Sequence, residues 1–291
     1  MTPRALRLPR HRRAGDHLFT VAALLGAAVA IGVVVIVVLD IVVDAVPAFG
    51  SGFLTGLPAT SAATAGIGPA LTGTLWLLMV TALLSIPLAI GAAVWLEEYA
   101  PDRWSTRLIA ANVHHLAHIP SVVYGVLGLT LFVRGLALGR SLLAGAFTLT
   151  IFVLPILILS TQEALRATPD ELREAARSVG ATRWQMVRQQ VLPAALPAIL
   201  SGACLALARV IGETAPLVLV GTLGFVAFAP LGPTDALTAL PLQIFDWVRR
   251  PQPEFQALAA AAIVVLLAII GALQLLAALA RFSERRRSRR L

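Results

Sequence analysis

The chain reads as an all-α integral membrane protein of six transmembrane helices, with a helical insert on its cytoplasmic side. Three observations predict this. The 291 residues are 58% hydrophobic and 13% charged, where a soluble domain carries about a quarter charged residues, so lipid is the expected main solvent. Six apolar runs, at or near the ~20 residues that a helix needs to cross the hydrocarbon core, leave no room for a large soluble domain. Between the fourth and fifth runs lies a charged stretch, residues 162–192, with its own helix start and stop signals.

Residues 1–17 form a basic tail containing Arg4, Arg7, Arg10, Arg12 and Arg13. The first apolar run, 18–43, is too long for a signal-peptide core and has no small-x-small cleavage site, so it is expected to stay as a span. The loop 44–70 is rich in Gly, Pro, Ser and Thr and is expected to be irregular; with the first span it makes up 18–70. The main helical unit is 71–280, with spans at 71–96, 119–133, 142–160, 194–212 and 257–280. A second basic tail, 281–291, follows. No internal repeat is visible.

The apolar run 215–229 could be a seventh span, but charge decides against it. Six spans place both basic tails, Arg103, Arg107 and the arginines of the insert on one face, leaving Arg140, Arg249 and Arg250 outside and Arg134 near the boundary. That bias puts both termini in the cytoplasm. The 215–229 run then either continues the fifth helix past a break at Pro216 or folds back near the outer surface. In the outer loop 230–255, residues 241–248 form a short amphipathic stretch suited to the interface, with Trp247 as an interfacial anchor.

All 23 basic residues are Arg. A phosphate loop of the Walker A type needs Lys, as does Schiff-base chemistry, so neither an ordinary ATPase site nor a lysine imine is available. The positive charge lies at the ends of apolar runs, which fits membrane orientation better than nucleic-acid binding. The single cysteine, Cys204, lies within an apolar run and permits no disulfide within one chain.

In the insert, Thr168-Pro169-Asp170-Glu171 predicts an N-cap, a proline in the first turn and a capping-box acid. Leu172, Ala175, Ala176 and Val179 recur at helical spacing as a narrow apolar stripe. Gly180 is the expected stop. Thr182-Arg183-Trp184-Gln185 starts a second helix that runs through Pro193 into the fifth span. Such a stripe can dock in a partner's groove or lie on lipid headgroups, and the residues alone leave both open.

The pattern Glu174-Ala175-Ala176, Gly180, then Leu192-Pro193 resembles the EAA loop of type I ABC importer permeases, with one departure: Gln190 stands where the family usually has Ile. The resemblance implies that 162–193 is a coupling loop. Leu172, Glu174, Ala175, Ala176, Val179 and Gly180 would then meet a separate cytoplasmic ATPase subunit that binds ATP and Mg, with no cofactor held by this chain.

Arg209 and Glu213, at the end of the fifth span, are four residues apart, so they share a helix face and can pair. Charge at membrane depth costs ~2.5–3.5 kcal/mol per residue on insertion scales and is by default a functional hypothesis; the bland alternative is a structural salt bridge. Arg offers a planar fork of donors to tetrahedral oxyanions. Glu213 would offset its charge in an empty path, Thr214 would add a hydroxyl, and a backbone loosened at Gly212 and Pro216 would expose further donors. Ala208 to Leu217, with Pro120 to Gly125 and Leu96 to Pro101, is similar to the permease family of the bacterial phosphate importer, nearer its A-type than its C-type members, from about residue 72 to the last span. This resemblance implies that Arg209 and Glu213 line a phosphate path. It also implies a second homologous permease, two ATPase subunits and an extracytoplasmic phosphate-binding protein as partners.

His114, His115 and His118 have ligand spacing but no carboxylate nearby in sequence, so no metal site is expected. No nucleophile–base pair suggests an intramembrane hydrolase. Permeation of another oxyanion, such as sulfate or molybdate, or a membrane scaffold or sensor that recruits a partner without transport, remain as alternatives.

Overall fold

The computed structural model describes residues 10–288 apart from 51, 222–225, 227, 231, 233 and 237, with side chains described from residue 19 to 281. The ends of both basic tails, and much of the 222–237 stretch, lie outside the described residues. Among the described residues eleven α-helices run in order: α1 (Arg10–Ala45), α2 (Gly68–Val94), α3 (Trp104–Leu116), α4 (Ser121–Gly128), α5 (Leu142–Arg166), α6 (Asp170–Ser178), α7 (Arg183–Met186), α8 (Leu192–Ile211), α9 (Ala215–Val220), α10 (Leu240–Val248) and α11 (Pro253–Ser288). Short π-helical stretches extend α2 (Trp95–Tyr99) and α4 (Leu129–Gly135), and another joins α7 to α8 (Val187–Val191). Pro87, Pro155 and Pro197 stand inside α2, α5 and α8, as membrane helices tolerate when neighbouring groups take up the freed carbonyls.

Among the described residues five helices are long and apolar enough to cross a membrane, and a bent pair makes six if it counts as one span. The bent pair corrects the expected third span. The run 119–133 becomes Ser121–Gly135, preceded by α3 at an angle of 101°. Pro120 explains the break, because proline disfavours the α conformation in the residue before it. None of the residues of α3 is buried.

α5 is the centre of the bundle. It packs along α2 and α8 and touches α4 and α9, and 67% of its most apolar window is buried, against 0% for α1. Small residues allow the close approaches. A Cβ on Gly125 of α4 would lie 2.8 Å from the Cα of Pro216 in α9. One on Gly128 would fall inside the side chain of Thr148 in α5.

The 215–229 run begins as α9, a helix of six residues that packs on α4 and α5, so it is no seventh span over its described part. The chain breaks at 212–214, and Pro216 lies within the first turn of α9. At the end of the bundle opposite the insert, α10 forms where the amphipathic stretch predicted it, but Trp247 is no interfacial anchor. It is fully buried between Phe53 of the 44–70 loop and Phe255 of α11, at ring separations of 6.5 and 6.3 Å. The 44–70 loop contains two short 3₁₀ turns and contributes Phe53 and Ile67 to this second cluster.

The α4–α9 contact is backbone-close, so it has no slack for a side chain. Gly125→Val is expected to destabilise the protein by ~1–3 kcal/mol, read as a lowered midpoint of thermal unfolding in detergent. An unchanged midpoint would show that the two helices are free to part.

Candidate functional site

The insert is built as two capped segments. α6 ends in a Schellman motif: the Ala181 amide donates to the Ala176 carbonyl (3.1 Å) and the Gly180 amide to Arg177 (3.0 Å), with Gly180 at φ +79°, where a Cβ is disfavoured. The second start signal is present as read. Thr182 accepts from the Gln185 amide while the Gln185 side chain accepts from the Thr182 amide, a complete capping box. The first start signal is not. The N-cap of α6 is Pro169 with no side-chain bond, because α5 runs on to Arg166 and the buried Thr168 hydroxyl donates back to the Ala164 carbonyl at 3.3 Å.

The predicted apolar stripe also divides. Ala176 is buried against Met186 and Val187, and Leu172 is half-buried. Ala175 and Glu174 are exposed, and Val179 is 83% exposed. Val179 is the C-cap, beyond the last helical residue, so the stripe ends before it: Leu172 and Ala176 anchor α6, while Ala175 and Val179 face outward, as do Gly180 and Trp184.

The π-helical end of α2 holds this insert in place, which the sequence reading missed. Glu97 accepts from both Nε (2.9 Å) and Nη2 (2.6 Å) of Arg166 and from Gln162 Nε2 (2.6 Å). Glu98 accepts from Nε (3.1 Å) and Nη2 (3.0 Å) of Arg173, with the two side chains only 6% and 12% exposed. Arg173 donates further to Asp170 Oδ1 and to the carbonyls of Thr168 and Leu165 at 2.9–3.0 Å. The guanidinium of Arg183 lies 5.5 Å from the centre of the Tyr99 ring, a cation–π contact. A sequence signal existed: two adjacent carboxylates end an apolar span in a chain whose insert is rich in Arg.

Arg209 and Glu213 meet in one cleft without pairing. α8 ends at Ile211, so the helical spacing that would align them stops short, and no ion pair joins them among the described residues. The amides of Gly212 and Glu213 bond back to the carbonyls of Arg209 and Val210 (3.3 and 3.0 Å), so they are not the free donors expected of a broken helix. The cleft holds about 630 Å³, and its polar lining includes Arg209, Glu213, Glu163, Ser160, His114 and His118. It runs along α5 from Phe152 to Glu163, about 16 Å at the α-helical rise. That is far more room than one tetrahedral anion fills, so the cleft has the dimensions of a conduit. Thr214 starts α9 and is not among its lining residues. His118 Nδ1 donates to the His114 carbonyl at 2.8 Å. Among the described residues no group of three or more His, Cys, Asp or Glu is arranged to hold a metal ion.

A membrane-spanning bundle that braces a small two-helix clamp at one end and opens a charged cleft between its helices defines a membrane transport component. Residues 85–289 match the family described as binding-protein-dependent transport system inner membrane component, and the chain belongs to this family. It is thus a multi-pass protein of the cell membrane and a transport subunit rather than a catalytic one, and membership implies an ATPase and a substrate-binding protein as partners. The chain is similar to the probable ABC transporter permease protein YqgI of Bacillus subtilis, 34% identical over 81% of this chain and 80% of the relative. It is also similar to the phosphate transport system permease protein PstA 1 of Mycobacterium tuberculosis, 36% identical over 77% and 72%. In fold it resembles a bacterial ABC transporter involved in the import of the polysaccharide alginate, with a TM-score of 0.63 at 15% identity over 96% of this chain and 99% of that one.

The two ionic contacts differ in burial, and so in consequence. Arg173→Ala leaves the Glu98 carboxylate buried and unpaired, an expected loss of ~3–5 kcal/mol. Arg166→Ala removes a side chain that is 66% exposed, for an expected loss of at most ~1 kcal/mol. Thermal unfolding of the two variants in detergent checks the order; equal losses would mean that burial does not separate the two contacts.

Proposed function

We propose that this chain is a permease subunit of an ATP-driven importer that carries inorganic phosphate inward across the bacterial cytoplasmic membrane. The observation that carries the reading is Arg209, an arginine with no ion-pair partner among the described residues, facing a polar cleft that continues to the insert end of the bundle. Arg is permanently charged, and its fork matches the oxygens of a phosphoryl group. Glu213 lies close enough to line the same cleft and limits how tightly an anion is held, which suits passage over storage. Thr214 stands at the break above them. Several of the similar proteins are phosphate transport permeases, which favours phosphate over sulfate or molybdate and favours transport over a scaffold or sensor role.

On this reading both termini and the insert are cytoplasmic, 71–280 is the transport unit, and 162–193 is the coupling loop. The exposed side of α6, with Glu174, Ala175, Val179 and Gly180, meets one of two ATPase subunits, while Leu172 and Ala176 fix α6 to the bundle. ATP and Mg belong to those subunits. A second, homologous permease completes the path, an extracytoplasmic phosphate-binding protein delivers the ion, lipid surrounds the spans, and nucleic acid has no part.

Replacing the charge in the cleft should separate transport from assembly. Arg209→Ala is expected to lower uptake of labelled phosphate by at least about tenfold, the scale of one lost charge-assisted contact, while the complex still assembles. Normal uptake would remove Arg209 from the path, and competition by sulfate or molybdate at far lower concentrations than unlabelled phosphate would change the substrate. On the other side of the protein, Glu174→Lys and Gly180→Pro are expected to weaken capture of the ATPase subunit in a pull-down. Unaltered capture and uptake in both would remove the docking role of α6.

A further inference from the structure

We propose that α2 is the rod that carries movement of the coupling helix across the membrane, and that Arg173 is the positioning residue that fastens it. This rests on the reading of α6 as the coupling helix. Chain connectivity joins α6 to α5 through 167–169 and to α7 through 179–182, and nothing in the order of the chain ties it to α2. Arg173 makes that tie. All five of its N–H donors are used: two on Glu98 at the end of α2, one on the Leu165 carbonyl in the last turn of α5, one on the Thr168 carbonyl in the link, and one on Asp170 in α6 itself. A lysine in this position has three donors from a single point and cannot reach four acceptors spread around a plane.

The neighbouring contacts repeat the pattern. Glu97 takes Arg166 and Gln162 of α5, and Tyr99 lies under Arg183 at the start of α7. Three consecutive residues of one π-helical turn thus reach α5, α6 and α7. π-helical turns recur at functional positions. If α6 tilts about its link to α5, it either draws Glu98 and the end of α2 with it or leaves a buried carboxylate without a partner. The second outcome is the costlier, so the movement passes into α2.

The opposite end of α2 has a contact of its own. Thr74, 1% exposed, accepts from the Leu240 amide at 2.8 Å while donating to the Ala70 carbonyl at 2.8 Å. Leu240 opens α10, so a side chain of α2 satisfies the first amide of the helix that exposes Phe245 and Val248 at the far surface. From Glu98 to Thr74 the chain spans about 36 Å at the α-helical rise. α2 therefore joins the coupling helix at one end to the start of α10 at the other, with a specific polar contact at each.

The test uses the full importer, purified with its partner subunits and reconstituted in proteoliposomes, in variants Glu98→Gln, Arg173→Lys, Thr74→Val and the double variant Glu98→Gln/Thr74→Val. Three quantities are read: co-purification of the ATPase, uptake of radiolabelled phosphate, and the ATP-dependent change in labelling of Phe245→Cys by a membrane-impermeant thiol reagent in a Cys204→Ser background. Each single variant is expected to retain the ATPase, to lower uptake by about tenfold, within the usual range of coupling effects, and to lose the ATP-dependent change at position 245. The double variant is expected to be no worse than the singles, because both ends serve one rod. Thr74→Val leaves the buried ion pair intact, so it keeps the test decisive if a Glu98 or Arg173 variant fails to fold. Retention of the change at 245 in Thr74→Val or Glu98→Gln, or losses that multiply in the double variant, would overturn the proposal. If the unaltered chain itself fails to retain the ATPase, or Glu174→Lys has no effect on that retention, the coupling reading of α6 fails instead.

Discussion

The buried contact between Arg173 and Glu98 allows a polar helix to stand against an apolar bundle. α6 carries five charged residues in nine and buries only Ala176, so hydrophobic burial alone cannot hold it. Its place is set by one guanidinium that is itself nearly buried. Desolvating two charges is costly, and Coulomb attraction offsets this only when the remaining donors and acceptors are also satisfied. Here they are, through the carbonyls of Leu165 at the end of α5 and Thr168 in the following link. The same interaction therefore closes α5, aims α6 and fixes the end of α2. The Schellman motif and capping box that follow then set where α7 begins, and with it the direction of the long α7–α8 helix that delivers Arg209 to the cleft.

What could be read from the sequence was what local chemistry determines. Gly180, Thr182 and Gln185 act within one six-residue stretch, and their roles are as the spacing implies. Thr168 misled because its hydroxyl had a competing acceptor four residues back, in a helix that outlasts its apolar run. Arg209 and Glu213 misled for the converse reason: a spacing rule for helices was applied across Gly212, where the helix ends. Hydropathy located the spans, but an average over a window is blind to direction, so the 101° bend between α3 and α4 left no trace in it. The contacts of Glu97 with Arg166, 69 residues apart, and of Glu98 with Arg173, 75 apart, lie beyond any local rule. Only charge complementarity pointed to them.

The cleft shows how a membrane protein with few charges distributes them. Arg173 is saturated with partners and is a fixed part of the framework. Arg209 sits in a wide, polar space beside a carboxylate that does not bind it. The two arginines share a chemistry and differ in what is left over: the first has no donor to spare, whereas the second keeps its fork for whatever enters. Framework and passage are separated by hydrogen-bond saturation rather than by residue type.

The lack of burial along α1 has a different kind of consequence. Among its described residues, Ile41 and Ala45, in the last turns, join the buried cluster at that end, and the helix otherwise meets this chain along α11. On the faces turned away from α11, lipid accepts any apolar side chain in any order, provided that mean hydropathy and length are kept. Selection there acts on a bulk property and not on positions, so this is the part of the molecule in which sequence can drift most freely, while α5, buried over most of its apolar length, can hardly drift at all.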